Sequence, residues 1–119
     1  YTGLYDRSEE LYATMQGLSD SIESRSTQYG QDVTALDAAI IAFNARANAG
    51  SFASAAAFNI ERSQLVTRSQ ELDSRREAIN ADIATYETYY KEYQQIASEI
   101  QVLNDSTDSF HQLEAAPSV

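Results

Sequence analysis

Apolar residues in the first half of the chain recur at alternating steps of four and three. Leu4, Leu11, Met15, Leu18 and Ile22 form one run, with Ser8 in the seat that lacks an apolar residue. Tyr29, Val33, Leu36, Ile40, Phe43 and Ala47 form the next, and Ser26 joins the two. Joining them through Ser26 makes two four-residue steps in succession, Leu18 to Ile22 and Ile22 to Ser26, a stutter that is expected to unwind a left-handed supercoil locally. In the second half the series Phe58, Arg62, Leu65, Ser69, Leu72, Arg76, Ile79, Ile83, Tyr86, Tyr90, Tyr93, Ala97 and Ile100 keeps the four-three rhythm unbroken. A strand would need period two, so this rhythm predicts helix throughout.

Between the two patterns lies Asn48-Ala49-Gly50-Ser51-Phe52-Ala53-Ser54. Gly50 suits the left-handed position just past a helix C-terminus, and Ser51 or Ser54 can cap the following helix through its hydroxyl. So short a connection favours antiparallel neighbours. If the chain folds back here, facing residues have numbers with a constant sum. Phe43 with Phe58, Leu36 with Leu65, Tyr29 with Leu72 and Ile22 with Ile79 all sum to 101. Leu18 with Ile83, Met15 with Tyr86, Leu11 with Tyr90 and Leu4 with Ala97 continue the series. The expected fold is therefore all-α: a long antiparallel two-helix coiled-coil hairpin, able to assemble into a helical bundle. It is expected as a single domain over residues 1–119, with helices over about 4–48 and 54–104 and a turn at 49–53. Asn104-Asp105-Ser106-Thr107-Asp108-Ser109 is a poor helix interior, so an irregular tail is expected over 105–119.

Composition agrees with few turns, because only four Gly and one Pro occur, and that proline is Pro117. Charge changes the picture more. Eighteen acidic residues face eight basic ones, for a net charge of -10. That surface repels nucleic-acid phosphates and anionic lipid headgroups, which excludes both as expected partners. There is no cysteine, hence no disulfide and no thiolate metal site. No run of 18 apolar residues suggests a membrane span. The Ser-rich, Lys-poor, acidic makeup points towards a secreted or bacterial-surface protein.

Three features could carry function. The first is a second apolar stripe, in which Tyr89, Ile96, Leu103 and Phe110 follow heptad spacing one residue before Tyr90, Ala97, Asn104 and His111. Tyr5 and Tyr12 sit one residue after Leu4 and Leu11. By the register above, all six lie at the open end of the hairpin. A two-helix hairpin buries one narrow seam, so a widened stripe predicts a further partner; rings that merely flank the seam under a folded-back tail are the alternative. The second feature is the tyrosine concentration. Seven of eight tyrosines (all but Tyr29) fall at that end, and tyrosine offers rigid contact area with a polar tip. For Tyr86, Tyr90 and Tyr93 a seam position explains the residue as well. The third is a polar layer in which Ser26, Ser69, Arg62 and Arg76 occupy seam positions with Arg25 and Arg75 beside them, suited to setting register.

Catalytic constellations are missing from the sequence. His111 has no Cys or His companion, no His-Glu-x-x-His or paired Glu-x-x-His pattern occurs, and Asn104–Asp108 lacks the glycine and final glutamate of a calcium loop. The expectation is a non-enzyme without metal or cofactor. Its partner is expected to be a protein, either a second copy or a helical partner, docked through Tyr5, Tyr12, Tyr89, Ile96, Leu103 and Phe110. A secretion-type chaperone or adaptor that holds an amphipathic client helix is the alternative.

Overall fold

The structure, a computed structural model, describes the backbone of residues 2–115 and the side chains of residues 2–109. It contains two helices, α1 (Thr2–Asn48) and α2 (Ala55–Ala115), that pack against each other as an antiparallel hairpin, with no strand among the described residues. α2 continues well past residue 104, where an irregular tail was expected to begin. Local bonds offset the weak helix propensity of that stretch: Gln101 Nε2 donates to Asp105 Oδ1 at 3.0 Å, and Thr107 Oγ1 donates to the Leu103 carbonyl at 3.0 Å. The first keeps the Asp105 carboxylate from competing for the helix backbone, and the second satisfies the Thr107 hydroxyl without leaving the helix. Residues 116–119 lie outside the described part.

The turn follows from Gly50. Its φ of 65° is the one positive value among the described residues, and it lets the chain reverse as a Schellman motif. The Ser51 amide reaches back to the Arg46 carbonyl at 2.9 Å, and the Gly50 amide to the Ala47 carbonyl at 3.2 Å. Ser54 then caps α2, its Oγ accepting from the Ala57 amide at 3.0 Å. Of the two serines proposed as caps, Ser54 makes this bond.

The chain divides into two compact units. The turn unit spans Ser21–Ile83, and the terminal unit combines Tyr1–Asp20 with Ala84–Val119. In the turn unit Leu36, Phe43, Leu72 and Ile79 are buried, each contributing about 1.5–3 kcal/mol of transfer free energy. Phe43 and Phe58 pack with ring centroids 5.0 Å apart, as their register predicts. Phe52, which belonged to neither stripe, closes the end by packing 5.2 Å from both. In the terminal unit Leu11, Met15 and Ile96 form the buried core.

Burial corrects the seam in both helices. On α2 the heptad line Phe58, Leu65, Leu72, Ile79, Tyr86, Tyr93 and Ile100 lies inward as expected. The second line is displaced by one residue. Glu61, Arg75, Asp82, Tyr89 and Ile96 are half-buried or buried, whereas Arg62, Ser69, Arg76, Ile83, Tyr90 and Ala97 are exposed. On α1 Arg25 is half-buried and Ser26 exposed, so the steps from Ile22 through Arg25 to Tyr29 are three and four. The stutter therefore does not occur. Val33, Ile40 and Ala47 share the heptad position of Tyr5 and Tyr12, and in the turn unit they widen the seam instead of shifting it.

The cause of the displacement is charge. Arg46 pairs with Glu61, Arg75 with Asp32 at 2.6 Å, and Arg25 with Asp82. In all three pairs the residue numbers sum to 107. Side chains on a helix lean towards its N-terminus. Residues of α1 therefore lean away from the turn and residues of α2 lean towards it, so pairs offset in this sense converge. Their aliphatic stems cover the seam while the charged heads reach its edge. The polar layer thus exists, but Arg25 and Arg75 form it, and Arg62 and Arg76 do not.

Candidate interaction surface

The terminal unit holds the six residues singled out from sequence. Leu4 and Leu11 define the inward line of α1 there. At about 100° per residue, Tyr5 and Tyr12 fall on one side of that line and Arg7 on the other. On α2, Tyr90 falls on one side of Tyr93, and Tyr89, Glu92, Ile96 and Leu103 fall on the opposite side. Two contacts identify which sides meet. Arg7 donates to both carboxylate oxygens of Glu92, at 3.0 and 3.1 Å, and closes one edge. Tyr12 packs on Tyr93 with centroids 6.4 Å apart, on the other edge.

The predicted patch is accordingly split. Tyr5 and Tyr12 are 41% and 55% exposed on the tyrosine edge. Tyr89 is half-buried and Leu103 exposed on the ion-pair edge. Ile96 is only 7% exposed and belongs to the core. Its burial follows from the one-residue displacement of the seam, which puts Ile96 where Ala97 was expected. The side chain of Phe110 lies outside the described residues, as does that of His111. Tyr90, assigned to the seam from sequence, is instead 45% exposed and stacks in parallel on Tyr86 at 6.4 Å. The tyrosine edge thus comprises Tyr5, Tyr12, Tyr86, Tyr90 and Tyr93. The signal that finds Tyr90 is that the heptad line through Glu61, Arg75 and Asp82 runs on through Tyr89 and Ile96.

Electrostatics separate the two units. The terminal unit carries ten acidic side chains against two basic ones, Arg7 and Lys91. The turn unit carries eight against six. Glu9 and Glu87, both exposed, stand at helical spacing beside the rings: Glu9 between Tyr5 and Tyr12, and Glu87 three residues before Tyr90. Arg7 is held more firmly protonated than usual, chiefly by its hydrogen bond to Glu92. Among the described residues no group of three or more His, Asp or Glu could hold a metal ion, and no helix is long and apolar enough to cross a membrane. An open concavity along α2, lined by residues including Asn59, Ile60, Thr67 and Arg68, belongs to the turn unit. The chain matches no protein-family model, and no curated protein or solved structure is significantly similar to it.

Proposed function

We propose that this chain is a non-catalytic structural and interaction module, a helical hairpin that self-associates or docks a protein partner through its tyrosine-rich terminal unit. The observation that carries this reading is the exposure of Tyr5, Tyr12 and Tyr90 along one edge of a seam that already buries Leu11, Met15 and Ile96. Large aromatic rings that the core does not use are the usual anchors of protein contacts, because they bring contact area at low entropic cost. Exposed aliphatic side chains in the turn unit, such as Ile41 and Ile60, are single and lack the aromatic grouping that marks the terminal unit.

Sedimentation equilibrium of the full chain tests the reading, alone and with amphipathic helical peptides of either charge. A gain in mass is expected in at least one condition, abolished by combined Tyr12→Ser and Tyr90→Ser at unchanged helicity. A chain that stays monomeric throughout, or a double variant that associates as well as the parent, contradicts it.

A further inference from the structure

We infer that the tyrosine edge is a docking site for a cationic amphipathic helix and not for a second copy of this chain. The inference rests on the interaction reading above and names the partner's chemistry. The shape of the site comes from the rings. Tyr5 and Tyr12 are one heptad apart on α1, and Tyr86, Tyr90 and Tyr93 follow four-three spacing on α2. Two such rows on one edge of a helix pair form the lateral groove into which a third helix sets its own i, i+3, i+4 and i+7 side chains. The backbones of α1 and α2 are internally bonded along this stretch and offer no strand edge, so an extended peptide gains nothing here.

The charge of the occupant comes from what flanks the rings. Glu9 and Glu87 stand beside the tyrosines, one on each helix, within a unit that is eight charges more acidic than basic. Arg7, one of the two cations, is already engaged by Glu92 on the opposite edge. A helix with an apolar stripe bordered by Lys or Arg would seat the stripe on the rings and its cations beside the glutamates. Apposing a second terminal unit would instead bring two strongly negative surfaces together, and like charges placed across an interface select against that pairing. On the tyrosine side of α2 the one cation is Lys91, four residues after Glu87, too few to complement the acids of a second copy.

Fluorescence anisotropy on the full chain tests this with two labelled helical peptides that share a leucine face, one flanked by lysines and the other by glutamates. The lysine peptide is expected to bind saturably, and the glutamate peptide not to bind. Tyr12→Ser, and separately Tyr90→Ser, should each weaken binding about tenfold, as loss of an interfacial anchor does. Glu9→Gln with Glu87→Gln should weaken it further at low salt than at high salt. Circular dichroism confirms that each variant keeps its helix content. Equal binding of both peptides overturns the inference, and so does lysine-peptide binding that both tyrosine variants leave unchanged, which would be charge attraction alone. A chain that ignores both peptides but self-associates through the tyrosines overturns the inference and leaves the interaction reading intact; one that does neither overturns both.

Discussion

Leu11 and Tyr12 are adjacent in the chain and opposite in environment. Leu11 is 1% exposed, the most completely buried side chain described, whereas Tyr12 faces solvent with one side of its ring on Tyr93. Truncating a buried leucine loses transfer energy and leaves a cavity, so Leu11→Ala should cost about 2–5 kcal/mol in urea unfolding. The same logic separates Ile96 from Tyr90. Ile96→Ala should cost about 2–4 kcal/mol, and Tyr90→Ala less than about 1 kcal/mol; the reverse order would restore the undisplaced seam. Asp32 supplies a titratable counterpart. The hydrogen bond from Arg75 chiefly, then that from Gln28, holds its carboxyl below the ordinary value of 3.8 against some desolvation. A folded-state value lower than the unfolded one adds stability at pH above the unfolded value, and that increment is lost as pH falls through the folded one. The stability gap between the parent and Asp32→Asn should therefore be flat near neutrality and close as pH drops below 3.8. A gap that persists in acid would show that the pair stabilises by something other than charge.

At the scale of the elements, the helices and their reversal could be read from the sequence because each depends on short-range chemistry. The four-three rhythm predicts helix, Gly50 stops α1, and Ser54 starts α2. Gly50→Ala would force a side chain into the left-handed region and should cost about 1–2 kcal/mol, seen as a lower melting temperature. Ser54→Ala should cost about 1 kcal/mol through the lost cap. The Phe43–Phe58 contact agrees with the expected register beside the turn. The second line is not legible in the sequence because apolar pattern alone cannot see a charged side chain that lays its stem on the seam. The rhythm points to Arg62, Arg76 and Ile83, whereas Glu61, Arg75 and Asp82 stand in the seam, and the same displacement puts Tyr89 and Ile96 where Tyr90 and Ala97 are expected. Ile96 was consequently assigned to a binding surface when it is core, and Tyr90 to the core when it is surface. The extent of α2 was underestimated for a related reason: Asn, Asp, Ser and Thr are weak helix formers on average, yet here Gln101 and Thr107 make helix-compatible bonds.

For the molecule as a whole, charge is distributed unevenly between units that share the same two helices. The turn unit is nearly balanced and carries three interhelical ion pairs, while the terminal unit is strongly acidic. Salt should therefore act on them in opposite directions. Raising ionic strength from about 0.05 to 0.5 M shortens the screening length several-fold. That relieves repulsion in the terminal unit and weakens the pairs in the turn unit. Amide hydrogen exchange should show protection over residues 84–104 rising relative to residues 58–83. A uniform response would place the acidic charge too far apart to matter.

On the proposed function, one edge of the terminal unit, bearing Tyr5, Tyr12 and Tyr90, receives a protein partner. Ring-proton NMR of the tyrosines during titration with the lysine-flanked helical peptide tests it most directly, because Tyr29, in the turn unit beside Arg75, serves as an internal control. Saturable shifts confined to the rings of the terminal unit are predicted, with Tyr29 unmoved. Shifts spread evenly over all the tyrosines, or centred on Tyr29, would contradict the account.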